Sequence, residues 1–174
     1  DITDRDIDGH VQRTQGRPLA TGALSIPQAI TCLVTLLFIA LGLVLLLNRF
    51  CLLLSLAGLS LTILYPIMKR CCPTPQIILG LTFNWGVIIA FAATQQTIPG
   101  IAWAFYGVTL LWTVAYDTQY AMVDRDDDIK LGLYSTAILF GRYDKSIIAC
   151  LQFLVIAGLI FIGIEQSFSW VYFF

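Results

Sequence analysis

The chain has 174 residues, 58% of them apolar and 12% charged, with a net charge of −1 and a mean hydropathy of +0.82. The charged fraction is about half the roughly 25% usual for a soluble domain, which excludes a water-soluble globule, a disordered chain and a secreted disulfide scaffold. No global basic field exists to attract nucleic acid, so no nucleic-acid partner is expected. The composition is that of a multi-spanning membrane protein.

The chain opens inside a charged run, Asp1-Ile2-Thr3-Asp4-Arg5-Asp6-Ile7-Asp8, that has none of the pattern of a signal peptide. It closes on the apolar Val171-Tyr172-Phe173-Phe174. These ends predict an internal piece of a longer protein, with residues 1–174 forming one transmembrane domain. Between them lie five uncharged stretches, 24–47, 50–68, 77–95, 98–116 and 146–164. Each is long enough for a helix to cross a bilayer, which takes roughly 17–25 residues. A sixth is expected to begin near Phe168 and to be cut short. The stretches are too long for barrel strands and do not alternate. Lipid offers no partners to open backbone groups, so the spans should be helices. The expected fold is therefore all-α, a transmembrane helix bundle of about five complete spans and a truncated sixth.

The connections alternate in charge. Arg5, Arg13 and Arg17 precede the first span, Lys69 and Arg70 follow the second, and Arg125, Lys130, Arg142 and Lys145 follow the fourth. The intervening links hold only Arg49. The positive-inside rule places the three basic connections in the cytoplasm. All the acids but Glu165 lie in those connections too. Acidic residues contribute little to topology, so their segregation calls for a chemical reason.

All of these acids but Asp144 form two clusters, residues 1–8 and 117–128. At about 100° per residue, Asp1, Asp4 and Asp8 share one helix face. Asp117, Asp124 and Asp128 share another, with Tyr120 beside them, while Asp6 and Asp126 point the opposite way as solvated positions. Two facing groups of carboxylates repel unless a cation lies between them. Oxygen ligands suit Mg²⁺ or Ca²⁺ rather than zinc or copper. The spacing and central Gly of a calcium loop are missing. Mg²⁺ commonly combines one or two carboxylates with water and substrate phosphates. A diphosphate would also account for the cations of the same connections, Arg13, Arg17, Lys69, Arg70 and Lys130. The residues thus point to a Mg²⁺–diphosphate site at the cytoplasmic mouth of an apolar bundle. The plain alternative, solvated loop charge, stays open, although two coherent faces on one side favour the site.

With their flanking segments, the two clusters resemble the UbiA superfamily of intramembrane prenyltransferases. Asp1, Asp4 and Asp8 fit the aspartates of the family's first motif, N-D-x-x-D-x-x-x-D, and Asp117, Asp124, Asp127 and Asp128 resemble its second. Gly9-His10-Val11, Arg13-Thr14, Arg17-Pro18-Leu19, Asp117-Thr118-Gln119-Tyr120-Ala121 and Ser135-Thr136-Ala137 look like its bacterial 4-hydroxybenzoate polyprenyltransferase branch. Tyr65-Pro66-Ile67-Met68-Lys69-Arg70 resembles its Tyr-x-x-x-Lys segment. The resemblance implies the middle of a fold with nine transmembrane helices around a cavity. The Asn that opens the first motif precedes residue 1, so the metal site of these residues alone is expected to be incomplete and inactive.

The implied activity is transfer of a polyprenyl chain from polyprenyl diphosphate to the ring carbon beside the hydroxyl of 4-hydroxybenzoate. This is a step of ubiquinone synthesis, and it implies a bacterial inner-membrane protein whose aspartate-rich loops are cytoplasmic. By that similarity Asp4, Asp8, Asp124 and Asp128 hold Mg²⁺ and diphosphate, Asp1 and Asp117 support them, and Lys69 and Arg70 serve diphosphate and acceptor. An allylic cation needs a dry cavity and gains from aromatic faces. Tyr65, Trp85, Trp112, Tyr116 and Tyr120 are the candidates, with Tyr65 and Tyr120 assigned to the acceptor or carbocation side.

Other features carry less. His10 has no partner histidine. The five cysteines form no C-x-x-C pair. Asn84 is polar within a span, and Gly42, Gly58 and Gly86 are expected to allow close helix packing. Two competing functions stay open: a sister prenyltransferase with another aromatic acceptor, and a cation transporter or channel with an acidic vestibule. The second normally places ionisable groups at the bilayer midplane, and no complete span here has one.

Overall fold

The computed structural model describes residues 2–173, and the side chains of all of these except residues 69 and 70. Among the described residues there are eight α-helices, two 3₁₀ turns and no strand. The helices are α1 (Arg5–Asp8), α2 (Ile26–Leu45), α3 (Arg49–Cys71), α4 (Pro75–Phe83), α5 (Trp85–Gln95), α6 (Gly100–Lys130), α7 (Thr136–Phe140) and α8 (Asp144–Glu165). Four segments are long and apolar enough to cross a membrane: α2, residues 49–68 of α3, α4 with α5, and α7 with α8. The uncharged stretch 98–116 falls in α6, which runs on past it.

The helices start where the sequence supplies caps. The Ser25 amide donates to Gln28 Oε1 at 3.0 Å at the head of α2. Asn48 accepts from the Cys51 amide at 2.9 Å to start α3, and donates to the Ala92 carbonyl at 2.7 Å, which ties that end to α5. Hydroxyls inside the spans bond back into their own helix, as Ser60 does to Leu56 and Thr62 to Gly58. An apolar surrounding gives them no other partner.

The long helix α6 forms the axis of the bundle and packs on α4, α5, α7 and α8, whereas α2 leans mainly on α3. One core cluster joins Ile88, Ala102 and Tyr106, and another joins Val108, Val155 and Ile162. Large apolar side chains elsewhere lie on the outside, Phe38 and Phe153 each at 69% exposure, as on a surface whose solvent is lipid. Close packing depends on glycines other than most of those expected. A Cβ at Gly58 would lie 2.7 Å from the Trp85 ring, and one at Gly158 would lie 2.6 Å from Val108. At Gly42 and Gly86 it would meet nothing.

Four elements differ from the sequence reading. The stretch 77–95 is broken at Asn84, whose amide nitrogen donates to the Gly80 and Thr109 carbonyls and to Thr113 Oγ1. A buried Asn meets its partners on α6 by breaking its own helix. Secondly, α6 continues through Lys130, so the second acidic cluster extends a span instead of following it. Thirdly, only one helical turn forms in the first cluster, with Asp4 as its N-cap, and residues 9–24 make successive turns. Gly9, Gly16, Pro18 and the positive-φ Gly22 do not sustain a helix there. Finally, the described residues after Phe168 form a turn where the sequence reading places the start of a sixth span. A 3₁₀ turn, Trp170–Phe173, folds back, and Tyr172 donates to the Leu159 carbonyl at 3.1 Å.

Candidate functional site

The fold brings the two acidic clusters together. Asp4 and Asp8 from the first segment and Asp124 and Asp128 from α6 line one cleft of about 470 Å³, with Arg13, Thr14 and Arg17. A second cleft, of about 570 Å³, shares Arg13, Asp124 and Asp128 and adds Tyr65, Gln76, Asp117, Tyr120, Tyr134 and Ser135. The two therefore meet along Arg13 and the α6 carboxylates.

Arg13 grips Asp124 with both prongs. Its Nε is 3.1 Å from each carboxylate oxygen, and its terminal nitrogen is 2.5 Å from Oδ2. The guanidinium lies 5.4 Å from the centre of the Tyr120 ring, within cation–π range. The hydrogen bonds to Asp124 hold Arg13 in its charged form, with a pKa above its already high ordinary value. Arg17 pairs with the buried Asp8 at 3.0 and 3.2 Å, and the Thr14 hydroxyl donates to the Asp8 carbonyl at 3.0 Å. The Gln12 amide donates to Asp127 Oδ2 at 3.3 Å, and Lys130 donates to Asp127 Oδ1 at 3.1 Å. Lys130 first, and then the amide, hold the Asp127 carboxyl below the ordinary carboxylate range.

The α6 wall is braced from outside the cleft. The Gln76 carbonyl accepts from the Thr136 amide at 2.9 Å, and the hydroxyls of Thr118 and Thr136 meet at 2.6 Å. Arg125, beside Asp124, turns the other way and pairs closely with the buried Asp144 at the start of α8.

The residues picked from sequence are distributed as follows. Asp4, Asp8, Asp124, Asp128, Arg13 and Arg17 share the first cleft, and Asp117, Tyr65 and Tyr120 join the second. Tyr65 lies within electrostatic range of both Asp117 and Asp4. Lys130 pairs with Asp127 at 72% side-chain exposure and lines neither cleft. Asp1 lies outside the described residues, and so do the side chains of Lys69 and Arg70, whose backbone forms the last turn of α3. Asp6 and Asp126 are exposed. Trp85 is not at the mouth: its indole donates to Leu54 at 2.8 Å and stacks edge-on to Tyr106. Sequence reasoning missed Gln76, and singled out Thr14 and Ser135 only as parts of family-like segments, without a role at the site. The signal for Gln76 was a lone amide at the head of an apolar span, just after Pro75.

Among the described residues no three His, Cys, Asp or Glu side chains converge as a ready metal cage. The donors that face the cleft are carboxylates from two walls, one carboxylate of each wall being paired with an arginine of the first segment. That set suits a hard cation that takes one or two carboxylates and completes its shell with water and phosphate, as Mg²⁺ does. It does not suit a soft metal. The residues present therefore fit Mg²⁺ brought in with a phosphate.

The signature of the UbiA prenyltransferase family matches residues 1–174. A protein of Alcanivorax borkumensis named 4-hydroxybenzoate octaprenyltransferase is 54% identical over 170 residues, covering 98% of this chain and 59% of the relative. One of the same name from Aliivibrio fischeri is 49% identical over 173 residues, covering 99% of this chain and 60% of the relative. The chain thus spans about three fifths of the length of these relatives. The apo structure of a UbiA homolog from Aeropyrum pernix K1 superposes with a TM-score of 0.87 at 28% identity, covering 98% of this chain and 66% of that one. A signature that holds from the first residue to the last, on a backbone that superposes so closely, leaves a single assignment: the chain belongs to the UbiA prenyltransferase family of integral membrane proteins.

Proposed function

We propose that the intact protein transfers a polyprenyl chain from polyprenyl diphosphate to the ring carbon ortho to the hydroxyl of 4-hydroxybenzoate, releasing diphosphate, as a step of ubiquinone synthesis. The reaction takes place at the cytoplasmic mouth of a bundle in the bacterial inner membrane. The observation that carries this reading is the shared cleft, in which carboxylates from both acidic motifs and two arginines face one space. The names of the relatives supply the acceptor and the donor class.

Asp4, Asp8, Asp124 and Asp128 would hold Mg²⁺, with Asp1 and Asp117 in support. When bound, Mg²⁺ supplies Lewis-acid neutralisation of the leaving diphosphate. Arg13 and Arg17 bind phosphate oxygens in the same cleft, and Arg's planar fork suits them. Lys69 and Arg70, in the last turn of α3, are assigned to the diphosphate and the acceptor by the family resemblance. Lys130, one step outside, adds to the field that draws the anion in. Tyr65 and Tyr120 line the adjoining cleft, where an allylic cation would gain from an aromatic face. The apolar spans hold the prenyl tail and keep water from the cation.

The test is a turnover assay of the intact protein in membranes, with one polyprenyl diphosphate and several aromatic acceptors. Prenylated 4-hydroxybenzoate should dominate, and excess chelator should stop its formation. Undiminished product in chelator, or a preference for a naphthoate acceptor, would overturn the reading.

A further inference from the structure

We propose that Arg13 is a placeholder cation: it neutralises Asp124 until a diphosphate takes over its guanidinium, so that divalent metal and diphosphate enter the cleft together. The inference rests on the metal–diphosphate reading above and concerns how that site fills.

The carboxylates assigned to the metal are already engaged. Asp124 is held by three contacts from Arg13 at 2.5 to 3.1 Å, and its side chain is only 14% exposed. Asp8 is held by Arg17 at 3.0 and 3.2 Å. Both arginines lie on the segment of successive turns and line the same cleft as the acids they neutralise. Arg13 borders the second cleft as well, and its side chain is 42% exposed. It is therefore paired on one side and open to an incoming anion on the other.

Consider each ligand arriving alone. A divalent cation bound at Asp124 must displace the guanidinium and then face it as a like charge at contact distance. A diphosphate alone meets Asp4, Asp8, Asp124 and Asp128 across the cleft and is repelled by them. If the two arrive together, the guanidinium moves its two-pronged pairing from a carboxylate to a phosphate, and the freed carboxylate turns to the metal. Every charge then keeps a partner. The Tyr120 ring, 5.4 Å from the guanidinium, and the Gln12 amide on Asp127 keep the segment in place during the exchange. By linkage, each ligand must raise the affinity for the other by the same factor.

The experiment measures Mn²⁺ binding to the intact protein in lipid nanodiscs by the EPR signal of free Mn²⁺, with and without inorganic pyrophosphate. In the native protein, pyrophosphate should tighten Mn²⁺ binding within the roughly 5–150-fold range of such couplings. Arg13→Gln should bind Mn²⁺ alone about tenfold more tightly than the native protein and lose most of the coupling. Arg13→Lys keeps the charge without the fork and should fall between them. Arg5→Gln removes an equal charge from a residue that pairs with Asp6 outside the cleft, and should match the native protein. Unchanged Mn²⁺ affinity in Arg13→Gln, or an equal gain in Arg5→Gln, would overturn the placeholder and leave the metal site standing. No Mn²⁺ binding in any variant, even with pyrophosphate, would remove the metal site and the placeholder with it.

Discussion

The two acidic motifs present the same chemistry on unlike supports. The second stands on α6, a 31-residue helix packed against four neighbours and braced by Thr118 on Thr136, Arg125 on Asp144, and Asn84 on Thr113. The first stands on a four-residue helix followed by turns. That segment is held by side chains: Thr14 on the Asp8 carbonyl, Arg17 on Asp8, Arg13 on Asp124, and the Gln12 amide on Asp127. Three of these four ties end on a carboxylate. The braces of α6 thus involve no carboxylate of the cleft, whereas the first segment is tied mainly to the cleft carboxylates and to Asp127.

The largest effect expected is on the α6 wall. Asp124→Asn in the intact protein should cut prenyl transfer by about 10³-fold or more, since it removes several kcal/mol of metal-mediated stabilisation. The amount inserted in the membrane, measured by immunoblot, should be unchanged. Asp6→Asn, on the other segment but with its side chain 84% exposed, should stay within about twofold of native turnover, as surface changes usually do. Near-native turnover in Asp124→Asn would show that α6 is not the metal wall.

Next comes the brace. Asn84→Leu removes three hydrogen bonds and leaves the Thr113 hydroxyl without that donor. A buried polar group that loses its partner costs about 1–3 kcal/mol, so thermal unfolding followed by tryptophan fluorescence should shift to lower temperature. Thr14→Val, on the first segment, removes one buried hydrogen bond, so it should shift that transition by less than Asn84→Leu and should also raise KM for polyprenyl diphosphate, because Arg13 and Arg17 line the same cleft. A melting shift in Thr14→Val as large as that of Asn84→Leu would mean that the two walls are equally structural.

How much of this was readable depended on the range of each signal. Composition and run length gave the class and the spans, because lipid imposes the same rule on every residue of a span. The acidic clusters could be assigned to one mouth because the basic residues fix sidedness. Three features could not be read. The break at Asn84 exists because Thr109 and Thr113 stand opposite it on α6, and a single strand of sequence does not reveal what faces what. The ion pairs of Arg13 and Arg17 were hidden for the same reason: the spacing marked them as cations near acids without saying which acid each one holds. Periodicity placed Asp1, Asp4 and Asp8 on one helix face, but the glycines and proline that follow allow only a single turn.

The smallest effect expected separates cations inside the cleft from cations near it. Lys130 is one of the basic residues that a diphosphate would recruit, yet it sits in the last turn of α6, paired three residues back with Asp127 and mostly in water. There it complements the negative end of the helix, and an exposed pair of this kind contributes little, because solvent screens it. Lys130→Gln should therefore change KM for polyprenyl diphosphate by no more than about threefold, and the change should fade at high salt because the charge acts through solvent. Arg17→Gln should raise the same KM by more, and the increase should persist in salt, because Arg17 is paired with a carboxylate that is only 6% exposed. Equal, salt-sensitive effects from both would mean that distance from the cleft does not decide which cations touch the phosphate, and that the first segment acts through its overall field instead of through its individual pairs.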